Sequence, residues 1–130
     1  MRQPIIPPVR IFLADDSALI RDRTAAMLAS SKLKIVGQAD TPESCIAGIL
    51  EIRPDVVVLD AQFSRGTGLS VLNAVRKVAP EIPFIIFSNH ATPGYRTRYM
   101  AAGAALFLDK SNEASELARA VLSVSGFSGS

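Results

Sequence analysis

The chain has 130 residues, a usual length for one domain with one hydrophobic core. Its net charge is only +2, its basic residues are scattered and it has no Trp, so we expect neither direct nucleic-acid binding nor a base-stacking surface. No apolar run approaches a membrane span, the N-terminus does not resemble a signal peptide, and the single Cys45 cannot form an internal disulfide. We therefore expect a cytoplasmic protein without a membrane partner, with Cys45 as a small core residue.

Short apolar segments alternate along the chain with segments of helical periodicity. The predicted strands are 9–14, 34–39, 53–60, 82–88 and 104–110, and the predicted helices fall within 17–30, 41–52, 69–78, 92–102 and 112–124. This alternation with short connections predicts an α/β fold, a five-stranded parallel sheet with helices on both faces. We expect an irregular lead-in over 1–8, one domain over 9–125 and a tail over 126–130.

The helices carry recognisable start signals and apolar faces. Thr41 followed by Pro42 predicts a helix start, and a second Thr-Pro pair opens the fourth helix. In the first helix one face carries Ile20, Thr24, Met27 and Leu28. In the fourth helix Tyr95 and Tyr99 are four residues apart and share a face, which indicates either core packing or a contact surface. Because small residues dominate the rest of that helix, we favour a partner surface.

Polar residues stand where the predicted strands end. The first strand ends in Asp15 and Asp16, the third in Asp60, the fourth in Ser88 and the fifth in Asp109 and Lys110. Ligands of open α/β sheets bind outside the carboxyl ends of the strands, so these side chains are expected to converge on one rim if strands one, three, four and five are neighbours.

Three clustered carboxylates repel one another unless a cation neutralises them. Mg²⁺ prefers carboxylate and carbonyl oxygens, so the cluster predicts a magnesium site. A carboxylate beside such a metal can act as a nucleophile toward a phosphoryl group, and an ammonium can neutralise the transferring oxygens. Aspartate is also a favoured N-cap residue, which gives Asp16 a second expected role at the start of the first helix.

These blocks resemble the receiver domain of two-component response regulators. The resemblance covers residues 9 to 124 and rests on "ADD", "LDAQFSRGTGL", "FSN" and "FLDK", in the order and spacing of the family. It implies a flavodoxin-like (βα)5 fold and a signalling domain that accepts a phosphoryl group from a sensor histidine kinase or a phosphotransfer protein. It also implies no enzyme activity beyond self-catalysed phosphotransfer and autodephosphorylation.

The resemblance implies a role for each site residue. Asp60 would be the phosphoacceptor, with Lys110 beside the phosphate. The implied magnesium ligands are Asp15, Asp16, Asp60 and the backbone carbonyl of Gln62. Ser88 and Phe107 would be the switch residues, and Gly68 the glycine that lets the loop turn into the third helix. The surface of the fourth helix, fifth strand and fifth helix would then change shape for dimerisation or for binding a downstream protein.

The chain departs from the family pattern at three positions near the site, Ser64, Asn89 and Ser111. Ser64 replaces a common Pro, Asn89 replaces a small residue and His90 follows at a position that tunes phosphate lifetime. Ser111 stands where a Pro commonly forms a cis bond, and since a cis bond before a non-proline residue costs about 3 kcal/mol, we expect a trans Lys110–Ser111 bond or an adjusted loop.

Three other interpretations remain open from the residues. A phosphorylation-independent pseudo-receiver would act through protein contacts alone. An Asp-nucleophile phosphatase would need a second Asp two residues after the nucleophile, where this chain has Gln62. A flavin-binding module would need a hydroxyl- and Gly-rich phosphate loop after the first strand, where this chain is acidic.

Overall fold

The computed structural model describes residues 7–63, 66–89 and 91–126, and in these ranges five strands alternate with five α-helices. The strands are β1 (Val9–Ala14), β2 (Leu33–Ala39), β3 (Val56–Leu59), β4 (Phe84–Ser88) and β5 (Leu106–Asp109). The helices are α1 (Ala18–Met27), α2 (Pro42–Ile52), α3 (Gly68–Val78), α4 (Pro93–Ala101) and α5 (Leu117–Val124), with a 3-10 turn, Ala114–Glu116, before α5. Predictions for 1–6, Ser64, His90 and 127–130 lie outside the described residues.

The strands form one parallel sheet in the order β2-β1-β3-β4-β5. Every residue of β3 and β4 is buried, as their unbroken apolar runs require of central strands covered on both faces. The predicted α/β class and the flavodoxin-like (βα)5 arrangement are therefore confirmed. The order makes β1, β3, β4 and β5 consecutive neighbours, which brings their carboxyl ends to one rim.

Two apolar layers hold the helices to the sheet. Cys45 of α2, Val71 of α3 and Tyr99 of α4 pack in one layer, and Leu28 after α1 and Val121 of α5 pack in the other. Burial of Cys45 agrees with its expected core role, and burial raises the pKa of its thiol to about 12.

Hydroxyl side chains begin three of the helices. The Thr41 hydroxyl accepts a hydrogen bond from the backbone N–H of Ser44, and the Ser44 hydroxyl accepts one from the backbone N–H of Thr41, which completes a capping box. Thr92 caps α4, as its Thr-Pro pair predicts. At α1 the cap is Ser17, whose side chain accepts from the backbone N–H of Ile20. The capping role expected for Asp16 is therefore wrong, because the helix begins one residue later.

Two expectations about side-chain faces need correction. Met27 is 44% exposed, because α1 ends at this residue and Leu28 turns toward the core in its place. Tyr99 is only 1% exposed and belongs to the core, so the favoured partner surface is wrong for this residue, whereas Tyr95 is half-buried. Four elements are also shorter than predicted, namely those expected at residues 53–60, 82–88, 104–110 and 112–124. In the first of these, Arg53 adopts a left-handed conformation that ends α2. Pro54 and Pro83 have no backbone N–H to donate to a neighbouring strand, which shortens β3 and β4 at their starts.

Candidate functional site

Three carboxylates meet at the carboxyl ends of β1 and β3. One carboxylate oxygen from each of Asp15, Asp16 and Asp60 lies within 4.8 Å of the other two. The sheet holds them there, because the backbone N–H of Asp60 donates to Ala14 at 2.9 Å and that of Asp15 donates to Ala39 at 3.2 Å. The arrangement is an oxygen-rich acidic cluster, the donor set that suits Mg²⁺.

Lys110 supplies a positive charge to this cluster through two ion pairs. Its Nζ lies 2.8 Å from Asp15 Oδ2 and 3.4 Å from Asp60 Oδ2. The side chains of all three residues are largely withdrawn from solvent, so these charges interact more strongly than a surface ion pair would. Lys110 reaches this position because its backbone N–H donates to Ser88 at the end of β4.

The electrostatic balance at Asp60 favours its protonated form relative to an ordinary aspartate. Burial is the largest cause that raises the pKa of this carboxyl, and the charge of Asp15 raises it further. Lys110 and the backbone N–H of Gln62 oppose this shift by stabilising the carboxylate, but the net direction remains upward. Because burial is the main cause of the shift, a cation bound beside Asp60 would oppose it by stabilising the buried carboxylate.

An open cleft of about 340 Å³ gives access to the cluster. It is lined by Asp16, Asp60, Gln62, Phe63, Ser88, Asn89 and Lys110. Ser88 is almost fully buried at the end of β4 and is one of the residues that line this cleft. The residues predicted from the sequence for direct contact with a phosphoryl group, Asp60, Ser88 and Lys110, thus line one cleft, whereas Asp15 is buried and does not line it.

Gly68 is required by a close backbone approach at the start of α3. A Cβ at this position would lie 2.2 Å from the backbone oxygen of Asp60, a distance that no side chain can tolerate. The N–H of Gly68 also donates to the backbone oxygen of Ala61 at 3.1 Å. The glycine therefore lets α3 begin directly against the backbone that follows β3.

Phe107 is buried on β5 and packs edge-on against Tyr99 at a ring-centroid distance of 6.0 Å. Arg96 of α4 lies over the Phe107 ring at 5.1 Å and donates to the backbone oxygen of Phe107 at 2.9 Å. The same guanidinium forms an ion pair with Glu113 at 2.9 Å, and this hydrogen bond lowers the pKa of the Glu113 carboxyl. Arg96 therefore ties α4 to β5 and to the segment before α5.

The departures near the site have simple structural consequences. The Lys110–Ser111 peptide bond is trans, as expected without a proline. The Ser111 hydroxyl donates to the side chain of Asn89 at 3.3 Å, so the two unusual residues contact each other across the ends of β4 and β5. Asn89 is also one of the residues that line the cleft.

Three side-chain hydrogen bonds that were not predicted from the sequence hold the site in place. The Tyr99 hydroxyl donates to the backbone oxygen of Ala61 at 2.7 Å, and the Gln62 side chain donates to the Tyr95 hydroxyl. Arg21 of α1 donates to the backbone oxygen of Asp15 at 2.6 Å. Only the four-residue spacing of the tyrosines hinted at a shared role, since contacts between distant segments have no local sequence signal.

None of the described helices has the length and apolar character needed to cross a bilayer.

The family model "Response regulator receiver domain" matches residues 11–122. The response regulator GacA of Pseudomonas aeruginosa is 31% identical over 117 residues, which cover 89% of this chain and 55% of that protein. A protein-glutamate methylesterase/protein-glutamine glutaminase of Anaeromyxobacter dehalogenans is 39% identical over 88 residues, 67% of this chain but 24% of that protein. The chain thus spans about half the length, or less, of these curated relatives.

Among solved structures, the signal receiver domain of NarL from Mycobacterium tuberculosis superposes with a TM-score of 0.86 at 30% identity, over 93% of this chain and 98% of that one. Receiver domains bind Mg²⁺ at a cluster of acidic residues, and this chain has such a group. They also interact with histidine kinases and phosphotransfer proteins. The match over most of its length shows that the chain belongs to the response regulator receiver domain family.

Proposed function

We propose that the chain is a phosphoacceptor signalling domain in which Asp60 receives a phosphoryl group from a sensor histidine kinase or a phosphotransfer protein. The observation that carries the proposal is the position of Asp60, within the acidic cluster, 3.4 Å from Lys110 Nζ and open to the cleft. The functional unit is residues 9–125, and it acts as a signalling domain rather than as an enzyme.

Mg²⁺ would be held by the carboxylates of Asp15, Asp16 and Asp60 and by the backbone carbonyl of Gln62. The carboxylate spacing within 4.8 Å and the raised pKa of Asp60 both fit a site that gains stability from a divalent cation. When bound, Mg²⁺ supplies charge neutralisation for the phosphoryl oxygens and for the cluster.

The transfer step is a displacement at phosphorus. A carboxylate oxygen of Asp60 forms the new P–O bond while the P–N bond of the phosphohistidine breaks, and the departing imidazole keeps that electron pair. Lys110 lies where it can neutralise charge on the phosphoryl group, because its Nζ already contacts Asp60. Phosphorylation adds roughly two negative charges beside Asp15 and Asp16, which is a local electrostatic event able to bias a two-state element.

Ser88 and Phe107 would convert this charge into a change of shape. Ser88 lines the same cleft as Asp60, and its hydroxyl would bond the phosphoryl group. Phe107 is already buried in the described conformation, so its switch role requires a second conformation in which its ring leaves the core. The surface of α4, β5 and α5 would respond and bind a second copy or a downstream protein.

The proposal is tested with a small acyl phosphate as donor. Wild type, Asp60→Asn and the control Asp22→Asn, an exposed aspartate on α1, are incubated with donor in Mg²⁺ or in EDTA. We expect labelling of wild type and of the control in Mg²⁺ only, and none of Asp60→Asn. Undiminished labelling of Asp60→Asn would overturn the assignment of the acceptor.

Size measurement of the same samples examines the output. A shift in size that requires both donor and Asp60 supports dimerisation as the response. If wild type binds neither Mg²⁺ nor beryllofluoride, a phosphate mimic, the chain is a pseudo-receiver that acts through protein contacts. If it turns over a phosphate ester continuously, it is a phosphatase. Either result would replace the proposed function.

A further inference from the structure

Both tyrosines of the chain contact the loop that follows the acceptor residue. Tyr95 and Tyr99 lie on one face of α4, and their rings stack at a centroid distance of 6.4 Å. Tyr99 is buried and its hydroxyl donates to the backbone oxygen of Ala61 at 2.7 Å. The next residue along, Gln62, donates its side-chain amide to the Tyr95 hydroxyl. Two consecutive loop residues are therefore fastened to one helix.

The same two loop residues are bonded to the acceptor and to α3. The backbone N–H of Gln62 donates to Asp60 Oδ1 at 3.2 Å, and the oxygen of Ala61 accepts from Gly68 at 3.1 Å. The loop is closed by an antiparallel bridge between Gln62 and Thr67. A short series of hydrogen bonds thus runs from the carboxylate of Asp60 through the loop to α4.

This series does not pass through the residues of the proposed switch. Ser88 stands on β4 and Phe107 on β5, whereas the tyrosine contacts reach α4 from the end of β3. Tyr99 also contacts the Phe107 ring, so α4 is placed to receive both the movement of the loop and that of β5. Helix α4 therefore has a direct connection to the acceptor loop.

We propose that Tyr95 and Tyr99 are positioning residues that fasten the acceptor loop to α4, so that occupation of the acidic cluster and the position of α4 are coupled. The inference rests on the proposed function, since it concerns the same magnesium and phosphoryl site. The backbone carbonyl of Gln62 is a proposed metal ligand. A movement of this carbonyl on metal binding therefore changes the hydrogen bonds that join Ala61 to Tyr99 and Gln62 to Tyr95. By reciprocity, a change at α4 alters the affinity of the cluster for its cation.

The Tyr99 contact is a stable part of this connection. Burial raises the pKa of its hydroxyl to about 12, so the phenol remains a hydrogen-bond donor throughout the physiological pH range. Replacement by Phe keeps the ring packing against Phe107 and removes only the bond to Ala61. Replacement of the half-buried Tyr95 likewise removes its bond to Gln62.

The test uses fluorine NMR, because the chain has only two tyrosines and fluorotyrosine labelling therefore gives one signal for each. Labelling with 3-fluorotyrosine places one probe on Tyr95 and one on Tyr99, and the labelled full chain is titrated with Mg²⁺ and then with beryllofluoride. We expect both fluorine signals to shift over the same concentration range as the backbone amide signal of Gln62. Signals that stay fixed while the Gln62 amide shifts would overturn the coupling.

Affinity measurements on unlabelled variants complete the test. We expect Tyr95→Phe and Tyr99→Phe to weaken Mg²⁺ binding about three- to tenfold, as loss of one coupling hydrogen bond predicts. Thr97→Val removes an exposed hydroxyl of the same helix and should change the dissociation constant less than about twofold. Tyr95→Phe should have no further effect in a Gln62→Leu background, because its partner is already gone.

The outcomes separate this inference from the function on which it rests. Wild-type Mg²⁺ affinity in both tyrosine variants overturns the coupling and leaves the phosphoacceptor function standing. Absence of Mg²⁺ and beryllofluoride binding in wild type overturns the proposed function itself. If Tyr99→Phe does not fold, Tyr95→Phe decides, because its half-buried ring is not part of the fully buried core.

Discussion

Replacing Asp60 with asparagine is expected to make the metal-free protein more stable, although it removes the proposed acceptor. Asp60 shares the cluster with Asp15 and Asp16, whose carboxylate oxygens lie within 4.8 Å. Asparagine has nearly the same size but no charge, so the substitution removes two repulsions and one attraction to Lys110. The sign of the change in the free energy of unfolding therefore reports whether the metal-free acidic cluster destabilises the fold.

The magnitude follows from the distances. With an effective dielectric constant of about 20, each repulsion between oxygens no more than 4.8 Å apart amounts to at least about 3.5 kcal/mol. The attraction between Asp60 and Lys110 at 3.4 Å offsets about 5 kcal/mol. The repulsions and the attraction are of similar size and largely offset each other, so the cost of burying the charge, the largest cause of the raised pKa of Asp60, decides the sign and leaves a net destabilisation of about 2 kcal/mol. The upward direction of the pKa of Asp60 agrees with this sign.

The pH dependence follows from the same shift. Because the pKa of Asp60 in the folded protein lies above its ordinary value of 3.8, the folded state holds the proton more tightly than the unfolded state. The stability that protonated Asp60 contributes is complete below 3.8 and is lost as the pH rises through the raised folded value. The advantage of Asp60→Asn should therefore be largest near neutral pH and should disappear in acid.

The assay is urea unfolding in EDTA, followed by circular dichroism at several pH values. At pH 7, Asp60→Asn should raise the free energy of unfolding by about 2 kcal/mol and the Tm by roughly 6 to 10 °C. The control Asp22→Asn, at an exposed aspartate, should change the free energy by less than about 0.5 kcal/mol. An Asp60→Asn protein less stable than wild type at pH 7 in EDTA would refute the electrostatic reasoning.

Three further predictions follow from other contacts. Gly68→Ala should destabilise the fold by about 1–3 kcal/mol and slow phosphorylation, because the new Cβ would clash with the backbone oxygen of Asp60. The control Gly94→Ala, whose Cβ would have no neighbouring atom within 4 Å, should be as stable as wild type in the same urea assay. Lys110→Met should destabilise the metal-free protein by about 3–5 kcal/mol, because it leaves two largely buried carboxylates without their ion-pair partner. In thermal unfolding, Mg²⁺ should restore part of the lost stability, and a loss of stability that Mg²⁺ leaves unchanged would contradict a cation site at these carboxylates. Burial raises the pKa of the Tyr99 hydroxyl from 10.0 to about 12, so the stability that the protonated phenol contributes is complete below pH 10 and is lost as the pH rises toward 12. Over this range the free energy of unfolding should fall by roughly 2–3 kcal/mol relative to Tyr99→Phe. Equal alkaline stability of the two proteins would show that the phenol is not buried as described.

Much of the fold and of the candidate site could be predicted because the signals are local. Apolar runs such as β3 and β4 identify buried parallel strands, and residues at strand ends share a rim whenever the strands are neighbours. Asp15, Asp60 and Lys110 needed only this rule, together with the resemblance to receiver domains, to be placed together.

The contacts that could not be predicted join segments distant in the chain. Ser17 and Asp16 are both good N-cap types, and only the exact start of α1 decides between them. Tyr99 became a core residue because the loop after Asp60 passes close to α4, which periodicity within the helix cannot reveal. Gly68 shows the same limit, since its necessity comes from the backbone oxygen of Asp60.

The most direct test of the account is to locate the phosphoryl group chemically. Wild-type protein is incubated with Mg²⁺ and an acyl phosphate, its acyl phosphate bond is trapped by borohydride reduction, and the modified peptide is sequenced by mass spectrometry. The account predicts one modified residue, Asp60, and no modification when Mg²⁺ is replaced by EDTA. Modification at another residue, or equal modification in EDTA, would contradict it.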